Sequence, residues 1–267
     1  MQADNLLYEV DAGIATITFN IPDKLNPLPA QLQHALRAAL ARVRADTAVR
    51  VLTITGAGRA FSVGADLGGM QPDAPGAASV GNTTADLMVA LSNPLILELR
   101  AMPVPVVSVV NGPAAGAGVG IALAADIVIA ARSAYFYLPF MPQLGIVPDL
   151  GSTWSLPRAV GRARVIGLAL LGNRLPAEQA LQWGLVWACV EDAELAGEAR
   201  KLALRLAALP THAAPELRRA FDASERNDLA TQLSYEAARQ HELIDGPAFA
   251  EGVRSFVEKR APAFQGR

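Results

Sequence analysis

The stretch Val110–Ala122, VNGPAAGAGVGIA, decides how this chain reads. It carries four glycines, four alanines and no charge. The β-branched run Val104–Val110 precedes it and IALAAD follows, so a strand enters a tight turn and the turn opens a helix. That helix, over Gly116–Ala125, has no polar face and is expected to be buried. Glycine-rich turns after strands often cradle phosphate. This one lacks the terminal Gly-Lys-Ser/Thr of a P-loop, and Gly116, Gly118 and Gly120 give G-x-G-x-G where a dinucleotide fingerprint needs G-x-G-x-x-G. Two uses of such bare backbone stay open. Its N–H groups can serve an oxygen that gains negative charge, helped by the positive end of the helix, or its glycines can simply permit close helix packing.

A second small-residue turn, TGAGRAFSVGADLGGM, follows the strand Val51–Thr55. In open α/β sheets ligands gather at the carboxyl ends of strands, which is where both turns fall. Elsewhere, LLYEVDAGIATITFN reads as two strands around Asp11-Ala12-Gly13. Pro29–Ala45 has helical spacing, with Leu32, Leu36, Leu40 and Val43 on one face. Residues 71–82 read as a loop. A helix is expected over Thr84–Arg100, kinked near Pro94. IVIAAR is a further strand, Gly151–Leu171 and Ala177–Trp183 are helical, and Leu185–Val190 is strand-like. From Asp192 the chain is nearly all helical, punctuated by Pro210, Pro215 and Pro247. The pattern predicts an α/β core domain over residues 1–195 and a helical region over 196–267.

Composition narrows the partners. The chain has 267 residues, 52% of them hydrophobic, enough for one large core. A net charge of -2 and 6% aromatic residues give no footprint for nucleic acid or an anionic membrane. The single cysteine, Cys189, lies in the apolar run GLVWACV and is expected to be a buried small hydrophobe. Neither a signal peptide nor a transmembrane stretch is expected, so the chain reads as a cytoplasmic protein.

GAGRAFSVGADL together with PVPVVSVVNGPAAGAGVGIALAADIVIAA resembles the enoyl-CoA hydratase/isomerase (crotonase) superfamily. The resemblance continues through LGIVPDLGSTWSLPRAVGRARVIGLALLG and LPAEQALQWGLV to EGVRSFVEKRAPAF, nearly the whole chain. It implies a ββα spiral core, trimers or dimers of trimers in which the helical tail assembles subunits, and a coenzyme A thioester as substrate. No permanently bound cofactor is implied, coenzyme A arriving as part of the substrate. The match puts the oxyanion donors on the N–H groups of Ala65 and Ala117, flanked by Gly64, Asp66, Leu67 and Gly116. It puts Val63 where the backbone accepts from the CoA adenine, and Lys24 with Leu25 near the CoA phosphates. Phe256 and Lys259 match a late helix that in the family reaches a neighbouring subunit's CoA; an amphipathic, solvated helix end is the other reading.

Hydratases of the family hold a water between two glutamates. Here those positions fall on Gly120 and, to within one residue, Phe140, and neither is an acid. Asp149 in GIVPDLGSTW matches the spot where the family's isomerases carry Asp or Glu. One carboxylate suits a proton shuttle that shifts a double bond or opens an epoxide ring through an enolate, and an apolar pocket would raise its pKa. Taken by itself, without the resemblance, Asp149 reads first as a helix N-cap. NGPAAGAG, DIVIAARSA and LGIVPD resemble those family isomerases that act on phenylacetate-derived or fatty acyl thioesters. The segment Tyr135–Pro142 departs from them and is expected to line the acyl pocket. A hydratase, or a catalytically silent acyl-CoA-binding member, is the alternative. Asp66 is expected to order its turn, and Asp126 and Glu98 to be structural. His34, His212 and His241 form no triad with a serine, and no cluster has metal-ligand spacing.

Overall fold

The computed structural model describes residues 5–66, 68 and 79–264. Strands β1 (Leu6–Asp11), β2 (Ile14–Phe19), β3 (Val51–Gly56), β4 (Val106–Val110), β6 (Ile127–Ala131) and β9 (Ala188–Val190) form one sheet in the order β1-β2-β3-β4-β6-β9. β1 runs antiparallel to β2, and the other neighbours are parallel. Every residue of β4 is buried, as expected of a strand covered on both faces. A smaller sheet, β5-β7-β8 (Ala114–Ala115, Tyr135–Tyr137, Leu175–Pro176), continues from the glycine turn. This is the expected α/β core, followed by a carboxy-terminal helical region.

Helix α1 (Ala30–Ala45) buries the expected stripe of Leu32, Leu36, Leu40 and Val43. The helix expected over Thr84–Arg100 starts earlier and has three parts: α2 (Val80–Leu87), a π-helical turn (Met88–Ser92) and α3 (Asn93–Arg100). Pro94 cannot donate a hydrogen bond and crowds the preceding turn, and a wide π turn relieves this without ending the helix. Of the loop expected over 71–82, residues 71–78 lie outside the described residues, and 80–82 belong to α2. α4 (Ala117–Leu123) is buried, as its lack of a polar face requires. The helix expected over Gly151–Leu171 is split at Gly161 into α5 (Ser152–Val160) and α6 (Arg162–Leu171). Gly161 has φ +82°, a conformation no continuing helix permits.

α7 (Ala177–Gln182) leads into β9, where the strand-like stretch shortens to three residues and leaves Cys189 half-buried rather than buried. α8 (Leu195–Ala207) lays Leu195, Ala199 and Ala203 on the core. α9 (Ala213–Ser224), α10 (Leu229–Ile244) and α11 (Pro247–Val257) follow. Pro215 sits in the first turn of α9 and Pro247 opens α11, positions where a missing N–H costs nothing.

Two ion pairs fasten helices to their neighbours. Arg37 on α1 grips Glu98 on α3 through both carboxylate oxygens at 3.0 and 3.1 Å from its Nε. Arg218 on α9 clasps both oxygens of Asp126, at 2.6 and 2.5 Å, and also donates to the Val104 carbonyl. Asp126 in turn accepts the Val106 N–H at 2.7 Å, so α9 is fastened to the start of β4. Both acids are structural, as expected. Arg218→Ala is therefore expected to lower the unfolding free energy by about 2–4 kcal/mol, because it leaves a half-buried carboxylate and carbonyls unpaired; denaturant titration measures it.

Candidate active site

Three segments are laced together below the sheet's carboxyl end. The N–H groups of Phe61 and Ser62 both donate to the Pro113 carbonyl at 3.1 Å, and Ala115 donates to the Ser62 carbonyl at 2.9 Å. The buried Ser62 hydroxyl donates to the Asn26 carbonyl at 2.7 Å and accepts from Gly64 N–H at 3.2 Å. Asn26 is fully buried and donates to the carbonyls of Ala57 and Ala60 at 3.0 and 2.8 Å. The two turns are thus tied to each other and to residues 21–28.

The glycines divide the labour. Gly116 has φ +52° and ψ -129°, a backbone that L side chains rarely adopt. At Gly64, with φ +84°, a Cβ would stand 2.6 Å from the Ala117 nitrogen. These two shape the turns and bring them into contact. Gly118 serves packing instead: a Cβ there would lie 2.4 Å from the Ser62 carbonyl oxygen. Both readings of the glycine run therefore hold, at different residues. Ala65 and Ala117 line one cavity of about 510 Å³, and neither N–H has a hydrogen-bond partner among the described residues.

Asp149 lines the same cavity. Its Oδ1 is buried without a hydrogen-bond partner, and burial pushes its carboxyl from an ordinary 3.8 up to about 6. The side chain does not cap a helix. α5 is entered through Gly151 in the left-handed region, with no side-chain cap, and Asp149 contributes only its carbonyl, which accepts from Ser152 N–H at 2.9 Å. The neighbouring Leu150 has φ +46°, unusual for a branched side chain. Its backbone crosses the space beside Gly120: a Cβ on Gly120 would meet the Leu150 carbonyl oxygen at 2.4 Å and the Leu150 Cβ at 2.6 Å. The place a side chain at 120 would need is filled by the residue that follows Asp149.

Other expected residues divide by position. Asp66 lines the cavity, is exposed, and orders its turn by accepting Gly68 N–H at 3.1 Å. Lys24 is exposed at the end of a short 3-10 turn, Pro22–Lys24. It precedes Leu25, whose carbonyl accepts from Val63 N–H at 3.1 Å, and neither Lys24 nor Val63 is in the cavity wall. Leu67 lies outside the described residues.

Tyr135–Pro142 does not line this cavity, contrary to expectation. β7 pairs with β5 and β8, which holds the segment behind the glycine turn. Phe140 is 5% exposed there, its ring tip 3.9 Å from where a Gly116 Cβ would be. Phe256, 84% exposed on α11, and the exposed Lys259 stand apart from the cavity wall. Sequence reasoning passed over Gln33 and Ser92, both buried and both in the wall. The available signal was a glutamine three and seven residues before Leu36 and Leu40, inside an apolar stripe. No group of three His, Cys, Asp or Glu that could hold a metal occurs among the described residues. Nor is any described helix long and apolar enough to cross a membrane.

The enoyl-CoA hydratase/isomerase family profile matches residues 9–267. The chain belongs to this family. It is 43% identical over 265 residues, 98% of each chain, to the 1,2-epoxyphenylacetyl-CoA isomerase of Escherichia coli K12. It is 42% identical over 267 residues, the whole of both chains, to a Rhodobacter capsulatus protein named "Probable enoyl-CoA hydratase". Among solved structures, an enoyl-CoA hydratase from Bacillus anthracis superposes with a TM-score of 0.89 at 29% identity, covering 99% of this chain and 100% of that one.

The Leu150–Gly120 contact makes a direct forecast. Gly120→Ala adds one methyl group into occupied space and is expected to cost about 1–3 kcal/mol of stability. Thermal unfolding measures this, and turnover is expected to fall with it because the segment carrying Asp149 must move.

Proposed function

We propose that this protein is an acyl-CoA isomerase in which Asp149 is the single acid/base. The observation that carries the reading is the unpartnered Asp149 oxygen in the same cavity as the two unpartnered N–H groups. The thioester carbonyl oxygen accepts from Ala65 and Ala117 N–H. The Asp149 carboxylate removes a proton from the carbon next to the carbonyl, and the negative charge moves onto the held oxygen. Losing one such donor typically costs about 2.7–4 kcal/mol of transition-state stabilisation. The protonated Asp149 then returns the proton two carbons away, which moves the double bond. With an epoxide ring beside the enolate, the same abstraction starts ring opening.

Lys24, Leu25, Val63 and Gly64 form the proposed run along the CoA moiety. The exposed apolar side chains of the last helices, Phe221, Leu229 and Phe256 among them, support assembly as a trimer or dimer of trimers, with Phe256 and Lys259 serving a neighbour's CoA. A role in breaking down aromatic or fatty acyl thioesters in the cytoplasm follows from the same reading. No cofactor beyond the substrate's own CoA is required.

Hydration is the second reading, favoured by the likeness to the Rhodobacter capsulatus protein and by Asp66 in the same cavity wall. Asp66 is exposed and its Oδ1 already holds Gly68 N–H, so it is poorly placed to share a water with Asp149. Water addition to crotonyl-CoA that vanishes in Asp66→Asn would establish hydration in place of isomerisation.

Asp149→Asn is expected to slow isomerisation of a β,γ-unsaturated acyl-CoA by roughly 10²–10⁴-fold while leaving thioester binding within a few-fold. Full activity in this variant would end the proposal. In the wild type, kcat/KM is expected to rise with pH through about 6 and then level off, because the base must be ionised. Stability runs the other way. The folded state holds the Asp149 proton more tightly than the unfolded chain, so its contribution is full below 3.8 and lost as pH rises through about 6. Asp149→Asn is accordingly expected to be more stable than wild type at pH 8, on the order of 1–3 kcal/mol, as measured by denaturant titration.

A further inference from the structure

The wall of the 510 Å³ cavity holds a polar pair that the isomerisation chemistry does not use. Gln33 on α1 and Ser92 at the end of the π turn are 6% and 3% exposed. The Ser92 hydroxyl donates to Gln33 Oε1 at 2.7 Å, and Gln33 Nε2 donates to the Leu28 carbonyl at 3.0 Å. A backbone carbonyl can only accept, so the Leu28 contact fixes which end of the amide carries hydrogen. Two capacities then remain without a partner among the described residues: the second Nε2 hydrogen of Gln33 and the lone pairs of the Ser92 hydroxyl.

We propose that Gln33 and Ser92 form a subsite that binds an oxygen atom within the acyl group, so that the protein prefers acyl thioesters carrying an ether, epoxide or hydroxyl oxygen over plain hydrocarbon chains. The proposal rests on the cavity being the acyl site. An ether or epoxide oxygen accepts the free Gln33 N–H; a hydroxyl can also donate to Ser92. A hydrocarbon chain offers neither and leaves both groups desolvated and unmet, which is the costly half of a buried hydrogen bond. Holding α1 against the π turn does not explain the pair, since apolar side chains of equal size would do so without spare donors. Among the other polar side chains of the wall, Thr83 is exposed and donates to the Ser79 carbonyl, Asp66 is exposed and engaged with Gly68, and Thr84 is only half-buried. Ser92 closes a π turn, a feature that recurs at functional sites.

The test is calorimetric binding of hexanoyl-CoA and of analogues in which an ether oxygen replaces the third or the fifth carbon of its chain. None of these can isomerise or add water, so catalysis does not enter. Wild type is expected to bind at least one ether about tenfold more tightly than hexanoyl-CoA. Gln33→Met, which removes the donor, is expected to bring that preference within about twofold with hexanoyl-CoA bound at least as tightly as by wild type, whereas Ser92→Ala is expected to keep it, because an ether has no hydrogen to donate to Ser92. The proposal is overturned if wild type prefers none of the ethers, or if Gln33→Met keeps the preference. Hexanoyl-CoA bound without any ether preference sinks the subsite alone, whereas no binding of any thioester sinks the acyl-site reading with it. Should Gln33→Met fail to fold, Gln33→Leu, which likewise offers no donor, decides between these outcomes.

Discussion

The contact on which the site depends is the one between Leu150 and Gly120. With hydrogen at position 120, the chain that follows Gly145 can close down until the Leu150 carbonyl occupies the space of a Cβ. That approach, with Leu150 in a left-handed conformation, carries Asp149 to the cavity and buries one of its oxygens. A glutamate at 120 and an aspartate at 149 in this position are sterically exclusive. Absence of the first acid and presence of the second are one structural fact. Strain at Leu150 is the kind that persists only when its surroundings over-determine it, and here the buried α4 and the start of α5 do so.

Electrostatics follow from that packing. No cation among the described residues is bonded to Asp149, and the first cause of its raised pKa is desolvation. A carboxylate held this way gives up and takes back a proton near neutral pH, as a shuttle must. The unpartnered N–H groups of Ala65 and Ala117 are held by a scaffold whose own polar groups are satisfied: Asn26, Ser62 and the Pro113 carbonyl spend their capacity on tying the turns together. Saturation around the site and vacancy within it are complementary. The arrangement sets donors in advance where a thioester oxygen would gain charge.

Much of this was readable before any coordinates. The strands, the α1 stripe and the buried α4 follow from periodicity, and the two glycine turns stand out because neither ends in the Gly-Lys-Ser/Thr of a P-loop. What escaped depended on contacts distant in sequence. Asp149 looks like a cap until Gly151, at φ +77°, moves the helix start past it. Tyr135–Pro142 looks like pocket lining until β7 pairs with β5 and β8. Gln33 hides as one polar residue in an apolar stripe, and its meaning appears only once the π turn delivers Ser92 to it. The split at Gly161 turns on a single backbone angle that composition leaves open.

The central claim is that one carboxylate both removes and returns the proton. A β,γ-unsaturated acyl-CoA deuterated at the carbon next to the thioester carbonyl tests it most directly, with mass spectrometry of the product at the earliest turnovers. A single shuttle on a desolvated Asp149 predicts deuterium carried to the carbon two positions away. Complete loss of deuterium to solvent from the first turnover, with solvent hydrogen at the new position, would contradict it.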